Sequence, residues 1–248
     1  MQVNRRIGQA MQNYAMLSHG DCVLVAVSGG VDSLVLAWLL QMWLRKAPIS
    51  YSLRVVNIDM GFRGAEDDAN PVDEISRQLH RFGIPLLVAP AGKTAAELAP
   101  ASAAMDPGQG RSEQTCFLCA RQRRHQLFEL ARDYGCNKIA FGHHKDDLIE
   151  TLFLNMFYSG NLSTMVPKQK LFDGRLALIR PLAYVEKHEI KAIAEKLGIV
   201  PVDNFCPLAG TTRREHVRRL LQNMYAQDPA IKASIFAAMA NVREGYLL

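Results

Sequence analysis

The chain has 248 residues, 49% hydrophobic and 21% charged, so it is long enough for a full core and lies outside the low-hydrophobicity, high-charge range of disordered chains. Lys and Arg outnumber Asp and Glu by 29 to 24, a net charge of +5, which favours a polyanionic partner without demanding one. No apolar run reaches the roughly 18 residues of a membrane span, and residues 1–18 read as an amphipathic helix rather than a signal peptide, so the expectation is a cytoplasmic protein with no membrane partner.

Beyond that helix the first half alternates apolar, β-rich runs with helical patterns: CVLVAV at 22–27, a helix over 32–45, LRVVNID at 53–59, a helix over 68–81 and IPLLVA at 84–89. This rhythm predicts an α/β fold with a parallel sheet, and the strands are nearly continuous in apolar residues, as helices on both faces require. From 90 to 115 the composition turns to Ala, Gly, Pro and Ser, with only a short helical turn near 94–98. A loop this long inside a domain reads as a mobile insertion of the lid or binding type. The pattern resumes with a helix over 117–134, KIAFG at 138–142 and a helix over 145–158, in which Ile149, Leu152, Phe153 and Met156 recur at helical spacing. Helices near 186–197, 211–225 and 229–241 close the chain.

The strongest local signal is Ser28-Gly29-Gly30-Val31-Asp32-Ser33, between an apolar strand and a helix. Two glycines let the backbone approach an anion, the helix start aims N–H groups and partial positive charge at it, and Ser28 and Ser33 add hydroxyls. The segment reads as a phosphate cradle, with a tight capped turn as the plainer alternative. It lacks the Lys of a Walker A loop and the spacing of a dinucleotide turn.

Five cysteines, two of them in Cys116-Phe-Leu-Cys119, do not form a secreted disulfide framework and favour metal or redox chemistry. Cys116 and Cys119 are expected at the start of a helix, with Cys206 distant in sequence but returning to the same sheet edge. The residues alone leave open an iron–sulfur centre, a structural zinc site completed by His125 or His216, and a redox dithiol. Cys22 and Cys136 read as small core residues. Asp59 ends a strand at the edge where open α/β sheets bind ligands, or caps the next turn. Asp146 and Asp147 open a helix with Glu150 one turn on, suited to the helix dipole or to a divalent cation. Gly142 and His143, with His144, follow a strand end, where one His can touch a nucleotide. Arg121, Arg123 and Arg124, and Arg213, Arg214, Arg218 and Arg219, are either solvated faces or phosphate contacts.

The hexapeptide SGGVDS resembles the SGGxDS signature of PP-loop ATP pyrophosphatases. CFLCARQRR at 116–124, GHHKDDLIETLFLNMF at 142–157, and Arg180-Pro181-Leu182 with Cys206-Pro207 narrow the resemblance to the tRNA 2-thiocytidine synthetase family, in order from about residue 20 to the end. The resemblance implies an adenine nucleotide alpha hydrolase-like fold: an open parallel sheet of about five strands with helices on both faces, in one domain. Residues 20–185 would form the nucleotide-binding core and 186–248 a helical C-terminal extension. It implies ATP-dependent transfer of sulfur to a tRNA base, cytidine to 2-thiocytidine, by adenylation of the base carbonyl oxygen with release of pyrophosphate. Ser28, Gly29, Gly30, Asp32 and Ser33, with Gly142 and His143, would serve ATP, while Asp59 and Asp146 assist with Mg2+ or as acid and base. Cys116, Cys119 and Cys206 would hold a 4Fe-4S cluster with one iron open. The family's usual further cysteine is here Ala209, which leaves three ligands. The partners implied are tRNA and a sulfur donor, sulfide or a persulfide carrier, and analogy admits a homodimer. An amine-delivering ligase of the lysidine synthetase kind, or a nucleotide-binding module with structural zinc, are the rival readings.

Overall fold

The computed structural model describes residues 2–61, 70–92, 109–202, 206 and 213–246, with the backbone alone at 2, 109–114, 116 and 244. The 94–98 turn and most of the 90–115 insertion, the first residues of the helices expected at 68–81 and 211–225, Pro207 and Ala209 lie outside the described residues.

The elements run α1 (Gln2–Asn13), β1 (Cys22–Ala26), α2 (Val31–Trp43), β2 (Ser52–Asp59), α3 (Pro71–His80), β3 (Leu86–Pro90), α4 (Gln109–Asp133), β4 (Lys138–Ala140), α5 (Lys145–Ser159), β5 (Lys168–Leu171), β6 (Leu176–Ile179), α6 (Lys187–Leu197), α7 (Arg213–Gln227) and α8 (Ala230–Ala238). Among the described residues six strands form one sheet in the order β3-β2-β1-β4-β6-β5. The first five of that order are parallel, as the βαβ rhythm requires, and β5 adds an antiparallel edge to β6. Neither β5 nor β6 stands out in the sequence, because four-residue strands are too short to show a period. Their signal is turn chemistry: Phe172 and Asp173 take φ of 52° and 57°, Gly174 follows at 84°, and Gly174 N donates to Leu171 O at 3.1 Å. That is a hairpin turn with left-handed central residues, and Asp173-Gly174 marks it.

Alternation along β1 feeds two cores. Val23, Val25 and Val27 face a cluster containing Ile7 of α1, Leu36 and Leu40 of α2, Ile75 and Leu79 of α3, and Ile190 and Ala194 of α6. Leu24 faces the other side, with Val56, Ile58, Ile139 and Leu178 under Leu127 and Ala131 of α4. Local signals set the helix ends: Asn70 Oδ1 accepts from Val72 N at 3.1 Å ahead of Pro71, and α6 opens with a Glu186–Glu189 capping box and closes at Gly198, φ 61°.

Two compact units result: Met1–His144 with Pro167–Ala209, and Lys145–Val166 with Gly210–Leu248. The first holds the sheet and α6. The second is helical: Ile149 of α5 packs with Val217 and Leu221 of α7, covered by Phe153, Met224, Ile235 and Phe236.

Candidate functional site

The sheet order reverses at β1, which leads to β2 on one side and meets β4 on the other, so the carboxyl ends of β1 and β4 flank the crevice where open α/β sheets bind ligands. Beyond β1 the chain turns through Gly29 at φ 88°, where a Cβ would also meet Ile75 Cδ1 at 3.1 Å and Val202 Cβ at 3.2 Å. Both backbone and space call for glycine. Gly30 is the N-cap of α2 and brings no side-chain cap; Ser33 N donates to Gly30 O at 3.0 Å, and no capping side chain covers the helix start that would face an anion. Ser33 braces the loop: its Oγ accepts from Ser28 N at 3.1 Å, donates to Gly30 O at 2.8 Å and lies 3.4 Å from Ser28 Oγ.

Gly142 lets the segment after β4 press on this loop, since a Cβ there would lie 2.9 Å from Asp32 C and from Ser33 N. His143 and His144 follow. Arg180, leaving β6 and 5% exposed, donates from Nε to His143 Nδ1 at 3.3 Å, which assigns the imidazole proton to Nε2. Burial, reinforced by the charge of Arg124, pulls the Arg180 guanidinium down to about 10. His144 is buried, with Nε2 3.8 Å from Asp32 Oδ1. Lys187 Nζ donates to Asp32 Oδ1 at 2.7 Å and Oδ2 at 2.6 Å. Asp32 was expected among the phosphate-holding residues, but an ionised carboxylate only accepts hydrogen bonds. In this structure Asp32 accepts from Lys187. Asp59 ends β2, the strand beside β1, and its Oδ1 accepts from Gly61 N at 2.9 Å, so the capping expected of it and the site position coexist.

On α4, Cys116 and Cys119 are one turn apart, on one face. The helix begins at Gln109 rather than near 117, continuing through Gly110, so both cysteines lie about two to three turns in rather than at the helix start expected from the sequence. Burial pushes the Cys119 thiol up, the Arg123 guanidinium pulls it down, and Cys206 pushes it up again. That last effect brings Cys206 within electrostatic reach of Cys119 despite its distance in sequence. Cysteine sulfurs with a guanidinium beside Cys119 are the donor types a thiolate-bound centre takes. The Cys116 side chain lies outside the described residues, and among the described residues no three His, Cys, Asp or Glu gather as a metal site. His125, a candidate zinc ligand, instead lies beside Glu129, with Nδ1 3.6 Å from Oε1. Cys136 is buried and the half-buried Cys22 packs against it, Sγ to Sγ 2.7 Å, so Cys136 is a core residue and Cys22 lies at the edge of that core.

In the second unit the acids of α5 face basic residues of α7 and α8. Glu150, 5% exposed, accepts from Arg218 Nε at 2.8 Å and Nη2 at 3.1 Å. Arg214 reaches Asp147 at 3.5 Å and Thr151 at 3.0 Å, and Lys232 reaches Asp146 at 2.5 Å. Arg213 stacks over Tyr158 at 4.7 Å. Arg214 and Arg218 thus serve this unit's packing, while Arg219, Arg121 and Arg124 are exposed. Sequence reading missed Lys187 and Lys232 altogether, because a single Lys on an amphipathic helix carries no sign of its partner.

An α/β sheet with a glycine cradle at its switch point is the architecture of ATP pyrophosphatases, and a model of the PP-loop domain matches residues 1–224. The chain belongs to the PP-loop family, in the branch of the tRNA-cytidine(32) 2-sulfurtransferases. It is 38% identical over 253 residues to the protein of that name from Anaeromyxobacter sp. (strain K), covering 98% of this chain and 80% of the relative. The protein of the same name from Citrifermentans bemidjiense is 36% identical, covering 99% of this chain and 92% of its own length. Among solved structures, the U34-tRNA thiolase NcsA from Methanococcus maripaludis with its 4Fe-4S cluster superposes with a TM-score of 0.76 at 21% identity, covering 100% of this chain and 80% of that one. The NAD+ synthetase from Burkholderia pseudomallei shares the fold at a TM-score of 0.53 and 19% identity, covering 99% of this chain and 89% of that one.

Proposed function

We propose that the chain thiolates a tRNA cytidine, at the position given in the relatives' name, using ATP. The C2 carbonyl oxygen of the base attacks the α-phosphorus and pyrophosphate leaves. A sulfur nucleophile then adds at C2, and the C2–O bond breaks with the oxygen departing in AMP. What supports this reading is the SGGVDS cradle at the switch point of the sheet, with Cys119 and Cys206 in the same unit. An amine-delivering ligase has no use for such thiols, and the relatives are named as sulfurtransferases.

Ser28, Gly29, Gly30 and Ser33 take the phosphates, with Gly142 and His143 beside the nucleotide and the Nε2–H of His143 as a donor. Asp32 and Asp59 offer the carboxylate oxygens that Mg2+ prefers. Cys116, Cys119 and Cys206 would hold a 4Fe-4S cluster, which when bound supplies an open iron for the incoming sulfur. Arg123 favours the thiolate form of Cys119. Sulfide or a persulfide carrier is the donor, and exposed Arg121, Arg124 and Arg219 suit tRNA phosphates. The pairing of Asp146 with Lys232 favours a positioning part over a catalytic one. Work on tRNA belongs in the cytoplasm; among the described residues no helix is long and apolar enough to cross a membrane.

The test is iron and acid-labile sulfide per chain after anaerobic purification, beside Cys116→Ala, Cys119→Ala and Cys206→Ala, followed by nucleoside analysis of tRNA incubated with ATP and sulfide. About four of each atom, lost in every variant, with 2-thiocytidine formed only by the parent protein, is expected. Zinc in place of iron, or AMP formation without thiolated nucleoside, refutes the reading.

A further inference from the structure

Phe117 stands on a side of α4 that further along is core, yet it is 65% exposed. It precedes Phe128 by eleven residues, and Ala120 and Arg124 precede Leu127 and Ala131 by seven, spacings that return to one side of a helix. Leu127 and Ala131 are buried with Leu24 and Ile139, and Phe128 packs against them. That packing stops where the sheet stops. Gln126 Nε2 donates to the carbonyl of Pro90, the last residue of β3, at 2.6 Å, so the turns of α4 before it run past the carboxyl end of that strand. There Phe117, Ala120, Arg121, Arg124 and His125 form one exposed stripe, at i, i+3, i+4, i+7 and i+8, which ends where His125 meets Glu129. The charge of Arg124 is felt by Arg180, the partner of His143, so the stripe borders the site. Phe128 closes edge-on against Phe172 at 5.7 Å, whereas Phe117 meets no ring among the described residues.

We propose that Phe117 is a base-stacking residue: its ring takes one face of an unpaired tRNA base beside the cytidine that is thiolated, while Arg121 and Arg124 hold phosphates of the same strand. The inference rests on the thiolation reading and deepens it by naming what holds the strand. A base offers its C2 to sulfur only when drawn out of its stack, and the stacking its neighbours lose has to be replaced. Phe117 follows Cys116 directly and lies about 100° around the helix from it, so a nucleotide next to the reacting one falls within its reach. A phenyl ring has a π face and no hydrogen-bonding group, so it holds whichever base stands there. The two arginines choose the kind of partner. An apolar surface laid over this stripe would bury their guanidinium groups without counter-charge, whereas an RNA strand supplies phosphates to them and a base to the ring. Nothing in the cysteine spacing calls for an aromatic residue between the two thiols.

The test compares the full-length, metal-loaded parent with Phe117→Leu, which keeps an apolar side chain without a π face, Phe117→Trp, which keeps the face, and Arg121→Gln. Dissociation constants are measured over a salt series for an unmodified tRNA transcript and for a fully paired RNA duplex, with iron content, sedimentation and thermal unfolding alongside. Phe117→Leu is expected to weaken tRNA about 5- to 100-fold, the loss of one stacked base, with an unchanged salt slope. The duplex, whose bases are already stacked, is expected to stay within about twofold of the parent, and Phe117→Trp to bind tRNA as the parent does. Arg121→Gln is expected to flatten the salt slope by about 0.7, the loss of one phosphate contact. Unchanged tRNA binding in Phe117→Leu, or equal weakening of tRNA and duplex, overturns the proposal. Loss of iron from Phe117→Leu overturns it too, by making the ring a cover for the thiolate centre, as does a change in association state, which would make the stripe an interface between copies. A parent protein that binds tRNA without forming 2-thiocytidine defeats the thiolation reading and leaves the Phe117 comparison legible, and one that binds no tRNA overturns both.

Discussion

Gly142→Ala adds one methyl group where two backbones touch. The new Cβ would lie 2.9 Å from Asp32 C and Ser33 N and 3.0 Å from Asp32 O, about 0.5 Å short of the 3.4 Å at which ordinary contact begins. None of these atoms belongs to a side chain that can rotate away. β4 is pinned between β1 and β6, and α2 is anchored by Leu34, Leu36 and Leu40, all 1% exposed or less. The strain must therefore open the loop from the cradle side. Overpacking of this kind costs about 1 to 3 kcal/mol, which in a chain of this size lowers the melting temperature by about 2 to 4 °C per kcal/mol. A shift of this order at the phosphate loop should also lower kcat/KM for pyrophosphate release about tenfold, given that ~1 Å of misplacement costs about 100-fold. Thermal unfolding and ATP-titrated pyrophosphate release measure the two effects. Gly8→Ala is the control: in α1 its Cβ would meet only Trp43 Cη2 at an ordinary 3.6 Å, so stability should hold or rise. A Gly142→Ala protein with the parent's melting temperature and kinetics would refute the close-approach argument.

Glu150→Ala removes the buried partner of Arg218 and should cost the helical unit about 2 to 3 kcal/mol, less than a fully buried pair because Arg218 reaches solvent; hydrogen exchange of α5 and α7 measures it, and unchanged protection would refute the stabilising part of this pair. Burial first, and the contact with Cys22 second, hold the Cys136 thiol up to about 12, whereas an unfolded cysteine ionises near 8.5. Its contribution is thus complete below about pH 8.5 and is lost by at most about 1.4 kcal/mol per pH unit as pH rises toward the folded value. Urea midpoints from about pH 7 to about pH 10 should therefore fall less steeply in Cys136→Ala than in the parent, and parallel slopes would contradict the assignment.

Sequence by itself determined the parallel core and the cradle. Apolar runs at 22–27 and 53–59 separated by helical patterns admit few other arrangements, and SGGVDS is contiguous, so its glycines, its hydroxyls and the helix start arrive together in one turn. The Cys116–Cys119 spacing was equally local, although the helix beneath it starts earlier than composition around Gly110 indicates. Tertiary structure alone decided the partnerships. Lys187 meets Asp32 because α6 packs on α2, Cys206 shares a unit with Cys119 because the chain returns to the first unit at Pro167, and Asp146, Asp147 and Glu150 meet Lys232, Arg214 and Arg218 through helices folded onto α5. Local patterns report on the residue's own turn or strand, within about four positions. A charge pair across long sequence separation is set by which faces bury together, and single charged residues carry no mark of that choice.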